Sequence, residues 1–128
     1  MIFITTWQAT ILHAESHRPE DKPTPDRFSR HYADTVALTL HSDGKRAIHL
    51  DEMRTRVVEW KSRFFGSSWA RYDLAVPGSF RLVPSEVRVD ALRQDYLAMR
   101  DMYLVEPLTF DQILEHLTSL HAEINRGV

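Results

Sequence analysis

The sequence predicts an all-α domain, a compact bundle of four to five helices with one long irregular segment at about residues 67–84. Three observations lead there. Apolar residues recur at steps of three and four in separate stretches of the chain. Helix start and stop residues sit at the ends of those stretches. Residues 67–84 alone carry apolar side chains with no helical period.

The first helix is expected at residues 6–17, from helical spacing of Ile4, Trp7, Ile11, Leu12 and Ala14 over residues 2–17. The stretch RPEDKPTP follows, with prolines too dense for helix or sheet, and reads as an exposed connector. The next helix is placed at residues 24–41, with Thr24 as N-cap and Pro25 at the first helical position. Phe28, Tyr32, Ala33, Val36 and Leu40 share its apolar side, while Arg27, Arg30, His31, Asp34 and His41 share the other. Ser42, Asp43, Gly44 and Lys45 signal a turn. A third helix at 48–65 takes its stripe from Leu50, Met53, Val57, Trp60 and Phe64, with Arg54, Arg56, Glu59 and Lys61 away from it, and Gly66 as its stop. In the irregular segment, Pro77-Gly78 predicts a type II turn and Phe80 to Val83 a short strand. Trp69, Tyr72, Phe80 and Leu82 are expected to pin this segment down. Ser85 caps a fourth helix with a seam of Val89, Leu92, Tyr96, Met99 and Tyr103. Thr109 and Gln112 form a capping box, and Leu108 with Ile113 a hydrophobic staple, for a last helix. Its stripe is Ile113, Leu114, Leu117, Leu120 and Ile124, closed by Gly127.

The length of 128 residues fits one domain, 1–128. A net charge of -2 provides no global field for nucleic acid or anionic membrane, so any RNA contact must come from a local patch. With no cysteine, disulfides, thiol catalysis and Cys-ligated zinc are excluded. No apolar run is long enough to span a membrane, and MIFITTW lacks the features of a signal peptide. A cytoplasmic location is the expectation.

His13 and His17, four apart on a helix, have the spacing to share a metal, but Glu15 falls off their common face and no third ligand is identifiable. His116 and His121 diverge around their helix. Arg30 and Asp34 form an i, i+4 pair whose ordinary meaning is a surface ion pair. With Arg27 and His31 on the same face, the pair also has the chemistry to clamp a phosphate and to ligate Mg2+ or orient the guanidinium. Trp69, Arg71, Tyr72, Asp73 and Arg81 make a second set, suited either to packing the irregular segment or to stacking a base of single-stranded RNA. No complete catalytic set is readable from the spacing.

At residues 27–34 (RFSRHYAD) the chain resembles the C-terminal helical half of the AbiEii/AbiGii-type nucleotidyltransferase toxins of type IV toxin–antitoxin pairs. Members carry a helical motif of the form Arg-His-Tyr-Tyr-Asp, matched by Arg30, His31, Tyr32 and Asp34, with Ala33 in place of the second Tyr. The stretches ATILHAE (9–15), HRP (17–19), WARYDLA (69–75), PGS (77–79), RLVP (81–84) and FDQIL (110–114) extend the resemblance over about residues 9–125.

The resemblance implies a nucleotidyltransferase whose catalytic half, with its Gly-rich start and Mg2+-binding acidic pair, is not in this sequence. Gln8 stands where the family places a Lys, and residues 1–8 depart from the family pattern. By resemblance, Arg30 and Asp34, with His31 between them, would line a cleft that holds a nucleoside triphosphate, Mg2+ and acceptor RNA in an intact relative. The expectation is a truncated or stand-alone helical domain, inactive alone. Two alternatives stand beside it. One is an interaction module for an antitoxin or a separate transferase subunit, with an exposed apolar patch near Trp7, Ile11 and Phe28 and self-association as a homodimer. The other is a small metal-binding protein using His13 and His17.

Overall fold

The computed structural model describes residues 2–64, 66, 69–99 and 108–126. Among these residues the chain is all-helical, with six α-helices, one 3-10 turn and no strand. Tyr103 and Gly127, to which the sequence assigns a seam position and a stop, lie outside the described residues.

Helix α1 (Ile2–Ser16) is the central element, and α2, α3 and α4 all pack on it. Thr5, Thr6, Ala9, Thr10, Leu12, His13, Ala14 and Glu15 are buried, so almost every side of α1 is covered. Threonine suits this position because its hydroxyl can bond back along the helix: Thr6 donates to the Ile2 carbonyl at 3.1 Å and Thr10 to the Trp7 carbonyl at 2.8 Å. Buried Glu15 accepts two bonds from Arg18 Nε, at 2.9 and 2.8 Å.

Helix α2 (Ser29–Thr39) starts later than residue 24. Thr24 is not its cap, because the Thr24 hydroxyl accepts from Arg88 Nη1 at 2.8 Å. The same guanidinium reaches the Pro19 carbonyl at 2.7 Å and so fastens the proline-rich connector. The chain bends before α2 at Arg27, whose φ of 62° lies in the left-handed region. Asp95 holds this bend. Its carboxylate accepts from the backbone N–H groups of Arg27 at 2.7 Å and Ser29 at 3.0 Å, and from the Ser29 hydroxyl. The helix start is therefore capped in trans by a carboxylate, which also complements the helix dipole. Tyr32, Thr35, Val36 and Thr39 face inward, whereas Leu40 is 61% exposed. Thr35 and Thr39 displace Leu40 from the core because their hydroxyls bond the carbonyls of His31 (2.7 Å) and Thr35 (2.9 Å) and carry no unmet polarity inward.

Residues read as a turn form a short helix, α3 (Ser42–Ala47). Gly44 serves close packing there: a Cβ would lie 1.9 Å from the Leu38 carbonyl oxygen. Helix α4 (Asp51–Phe64) buries Arg54, Val57 and Lys61 and leaves Trp60 and Phe64 55% and 56% exposed. Of the apolar stripe expected from sequence, Val57 is buried and Leu50 and Met53 are half-buried, whereas Trp60 and Phe64 are turned off the core. Arg54 and Lys61 cover the core with their aliphatic stems because their heads are satisfied, by Asp51 at 2.7 Å and by the Trp7 carbonyl at 2.8 Å.

The segment from Trp69 to Ser85 has a 3-10 turn (Tyr72–Leu74) and otherwise no regular structure. The expected turn at Pro77-Gly78 is present, with Gly78 at φ 101° and the Ser79 N–H bonded to the Val76 carbonyl at 3.1 Å. The expected strand at Phe80 to Val83 is not. Side chains from flanking helices take the place of a strand partner. Asn125 accepts from the N–H groups of Gly78 (2.8 Å) and Phe80 (3.2 Å) and donates to the Phe80 carbonyl at 2.8 Å. His121 Nδ1 accepts from Leu82 N–H at 3.1 Å, and His13 Nδ1 from Arg81 N–H at 3.0 Å. Ala75, Phe80 and Leu82 are thereby pressed into the core.

Helices α5 (Glu86–Met99) and α6 (Phe110–Asn125) close the bundle against α2. Leu92, Tyr96 and Met99 of α5 are buried, and Phe110 sits between the rings of Tyr32 (6.4 Å) and Tyr96 (5.7 Å). The capping box forms as expected: Gln112 N–H donates to Thr109 Oγ1 at 3.1 Å, and Thr109 N–H to Gln112 Oε1 at 2.9 Å. Ile113, Leu117, Leu120 and Ile124 make the buried stripe.

Replacing Asp95 by Ala removes three bonds from the start of α2. We expect a loss of about 2 kcal/mol in urea denaturation. A loss below about 0.5 kcal/mol, the scatter of ordinary surface substitutions, would contradict the trans cap.

Candidate functional site

Arg30, His31 and Asp34 lie on the outer side of α2, the first and last exposed and His31 half-buried. Arg30 and Asp34 sit one turn apart on one face. Neither makes an ion pair within 4.0 Å among the described residues, so the expected surface bridge is open. His31 is held from α1: its Nδ1 lies 3.0 Å from Gln8 Oε1. An oxygen there requires a proton on Nδ1 and leaves Nε2 with the lone pair. Phe28 packs on the same ring, with centroids 4.8 Å apart.

Lys61 of α4 completes the group. Its amine is buried, donates to the Trp7 carbonyl and lies 4.3 Å from the centre of the Trp7 ring. Burial brings this amine down to about 7. Burial also lowers His31, and the positive charges of Arg30 and Lys61 push the same way, against Asp34. The surrounding protein raises Asp34, opposed by His31 and Arg30. Arg30, His31 and Asp34 thus act on one another, Lys61 bears on His31 from α4, and Gln8 fixes the imidazole. The chemistry of this group is an unpaired guanidinium, an unpaired carboxylate and an imidazole lone pair. Arg27 stands at the bend before α2, exposed and in the left-handed region, with its backbone N–H bonded to Asp95.

The second sequence-derived set is largely engaged in holding the irregular segment. Arg18 lies 4.7 Å over the Trp69 ring. Arg71, at φ 50°, bonds Asp73 through Nε (3.1 Å) and Nη2 (3.0 Å), which raises the guanidinium and lowers the carboxyl. Tyr72 is half-buried in the 3-10 turn. Arg81 is exposed and lines an open groove with His17, Ser79 and His121.

His13 is fully buried, and both ring nitrogens are committed: Nε2 to the Arg71 carbonyl at 2.9 Å and Nδ1 to the Arg81 N–H. No lone pair remains to share a metal with His17, whose Nδ1 lies 2.9 Å from the His13 carbonyl oxygen. Among the described residues there is no group of three or more His, Cys, Asp or Glu able to hold a metal ion.

Sequence reasoning missed Lys61 as a member of the site, because apolar spacing placed it on the solvent side. The competing inward row of Arg54, Val57, Val58 and Lys61 was the available signal. The chain matches no family model, no curated protein and no solved structure. None of the helices formed by the described residues is long and apolar enough to cross a membrane.

Burial lowers His13 to about 4, with the charges of His17 and Arg81 adding to the effect and the Arg71 carbonyl and Asp73 opposing it. Between that value and its ordinary 6.5 the unfolded chain binds the proton that the folded chain refuses. Stability from this group is therefore complete above pH 6.5 and is lost as pH falls toward 4, by up to about 3 kcal/mol. His31 and His121, also lowered, act in the same direction. Chemical denaturation across this range should show a shallower pH slope for His13→Gln than for the parent chain. An unchanged slope would contradict the buried neutral imidazole.

Proposed function

We propose that this chain is a helical domain of an AbiEii-like nucleotidyltransferase toxin, inactive by itself, whose α2 face contacts nucleotide and RNA in the assembled enzyme. The observation that carries this reading is the open pair of Arg30 and Asp34. Residues placed for a stabilising bridge would close it, whereas these remain available beside an imidazole that Gln8 orients. A guanidinium in this state suits a phosphate oxygen, and the His31 lone pair suits a ribose hydroxyl or a base N–H. The sequence resemblance at Arg30, His31, Tyr32 and Asp34 supports the same ligand class.

Mg2+ would accompany the triphosphate in this reading. The residues present do not fit a metal centre of their own, since Asp34 is the lone carboxylate on this face and no ligating cluster occurs among the described residues. We therefore assign no step to a metal here. The carboxylates that neutralise the phosphates would come from a transferase half on another chain or segment.

A second reading, an interaction module for an antitoxin or a transferase subunit, is favoured by a different observation. Phe3, Ile4, Trp60 and Phe64 are exposed large apolar residues on α1 and α4. Trp7, Ile11 and Phe28, where the sequence places such a patch, are only half-buried flanks.

Titration with ATP, CTP, GTP and UTP in the presence of Mg2+ tests the first reading. We expect binding that weakens at least roughly tenfold in Arg30→Ala/Asp34→Ala, with stability changed by no more than about 0.5 kcal/mol. Absence of binding at millimolar nucleotide would overturn it and leave the interaction module.

A further inference from the structure

Helix α4 carries a charge pattern on its outer side that neither the core nor the α2 face uses. Glu52, Arg56, Glu59 and Arg63 follow one another at steps of four, three and four, which puts them in a single stripe along the helix. All four are exposed. Glu52 and Arg56 pair within the chain at 2.9 Å, while Glu59 and Arg63, also four apart, make no ion pair within 4.0 Å among the described residues. Trp60 and Phe64 run beside this stripe, their ring centroids 4.5 Å apart and each more than half exposed. With Arg56, Glu59 and Arg63 they line an open groove.

The signs along the stripe alternate: negative, positive, negative, positive. Read backwards, the order is inverted. Two copies of α4 laid antiparallel about a two-fold axis between Val57 and Val58 therefore set Glu52 against the partner's Arg63 and Arg56 against the partner's Glu59. Each pair occurs twice, as an isologous contact requires. A parallel arrangement would oppose like charges along the whole stripe. The stripe of two glutamates and two arginines has no net charge and alternates in sign, so it offers no continuous positive track for a nucleic-acid strand. The aromatic pair supplies the apolar part. Across the two-fold, Trp60 and Phe64 present about 400 Å² of ring surface. That is roughly a third of the smallest stable specific interface, the remainder falling to the charged stripe and its rim.

We infer that the outer side of α4 is the surface on which a second copy of this chain docks, antiparallel, with the Glu-Arg-Glu-Arg stripes interlocked and the Trp60–Phe64 ridges covered. This is independent of the nucleotide reading, because α2 is not part of the surface, and it competes with the interaction-module reading, which gives Trp60 and Phe64 to a different protein.

Sedimentation equilibrium of the full chain over a concentration series tests it, with circular dichroism as the check on folding. The parent chain should show a reversible monomer–dimer equilibrium. Arg63→Glu opposes two carboxylates at each end of the stripe and should weaken association at least roughly tenfold. Reversing all four charges, Glu52→Arg, Arg56→Glu, Glu59→Arg and Arg63→Glu together, regenerates the antiparallel match and should restore it. A parent chain that stays monomeric at millimolar concentration overturns the proposal. So does a dimer indifferent to Arg63→Glu, or one that the four-fold reversal fails to rescue.

Discussion

The bond pair made by His13 is the constraint on which the rest of this fold depends. The segment from Trp69 to Ser85 must cross the bundle and bury Ala75, Phe80 and Leu82, yet it has no strand partner for its backbone. A buried backbone group left unpaired costs free energy comparable to a lost hydrogen bond. Here the imidazole of His13 supplies an acceptor on one side and a donor on the other, tying Arg81 and Arg71 to α1. His121 and Asn125 do the same from α6. Both helices are thus held to the segment that lies on them.

This arrangement separates the histidines by role. His13 is neutral and consumed by structure. His31 has one nitrogen fixed by Gln8 and the other uncommitted, on the face where Arg30 and Asp34 stand open. The same contrast runs through the cations. Arg54, Arg88 and Lys61 each satisfy a carboxylate, hydroxyl or carbonyl of the folded chain, whereas Arg30 and Arg63 meet no carboxylate within 4.0 Å among the described residues. Open charges on α2 and α4 mark the two surfaces to which ligand and partner are assigned above.

The parts of the fold legible in the sequence are those whose causes are local. Helix α6 follows from Thr109, Gln112 and an apolar stripe within one stretch, and the turn at Pro77-Gly78 from two neighbouring residues. The start of α2 was not legible, because its cap is Asp95, 66 residues from Ser29 along the chain. The face of α4 was misread for a related reason. Trp60 and Phe64 are the more apolar choice for the core, but Lys61 gains a carbonyl and a ring at Trp7 that only the folded chain brings near. The candidate residues on α2 were legible as a face. That their charges stand unpaired, and that Lys61 joins them, required the packing of α1 and α4.

The most direct measurement on the central claim is a pH titration of the histidine ring resonances of the folded chain by long-range 1H–15N correlation. The account predicts that His13 remains the neutral Nε2–H tautomer at pH 5.5, with its midpoint near 4. A His13 that takes up its proton with a midpoint near 6.5 while the chain stays folded would contradict it, because the imidazole would then not be the acceptor that holds the segment in place.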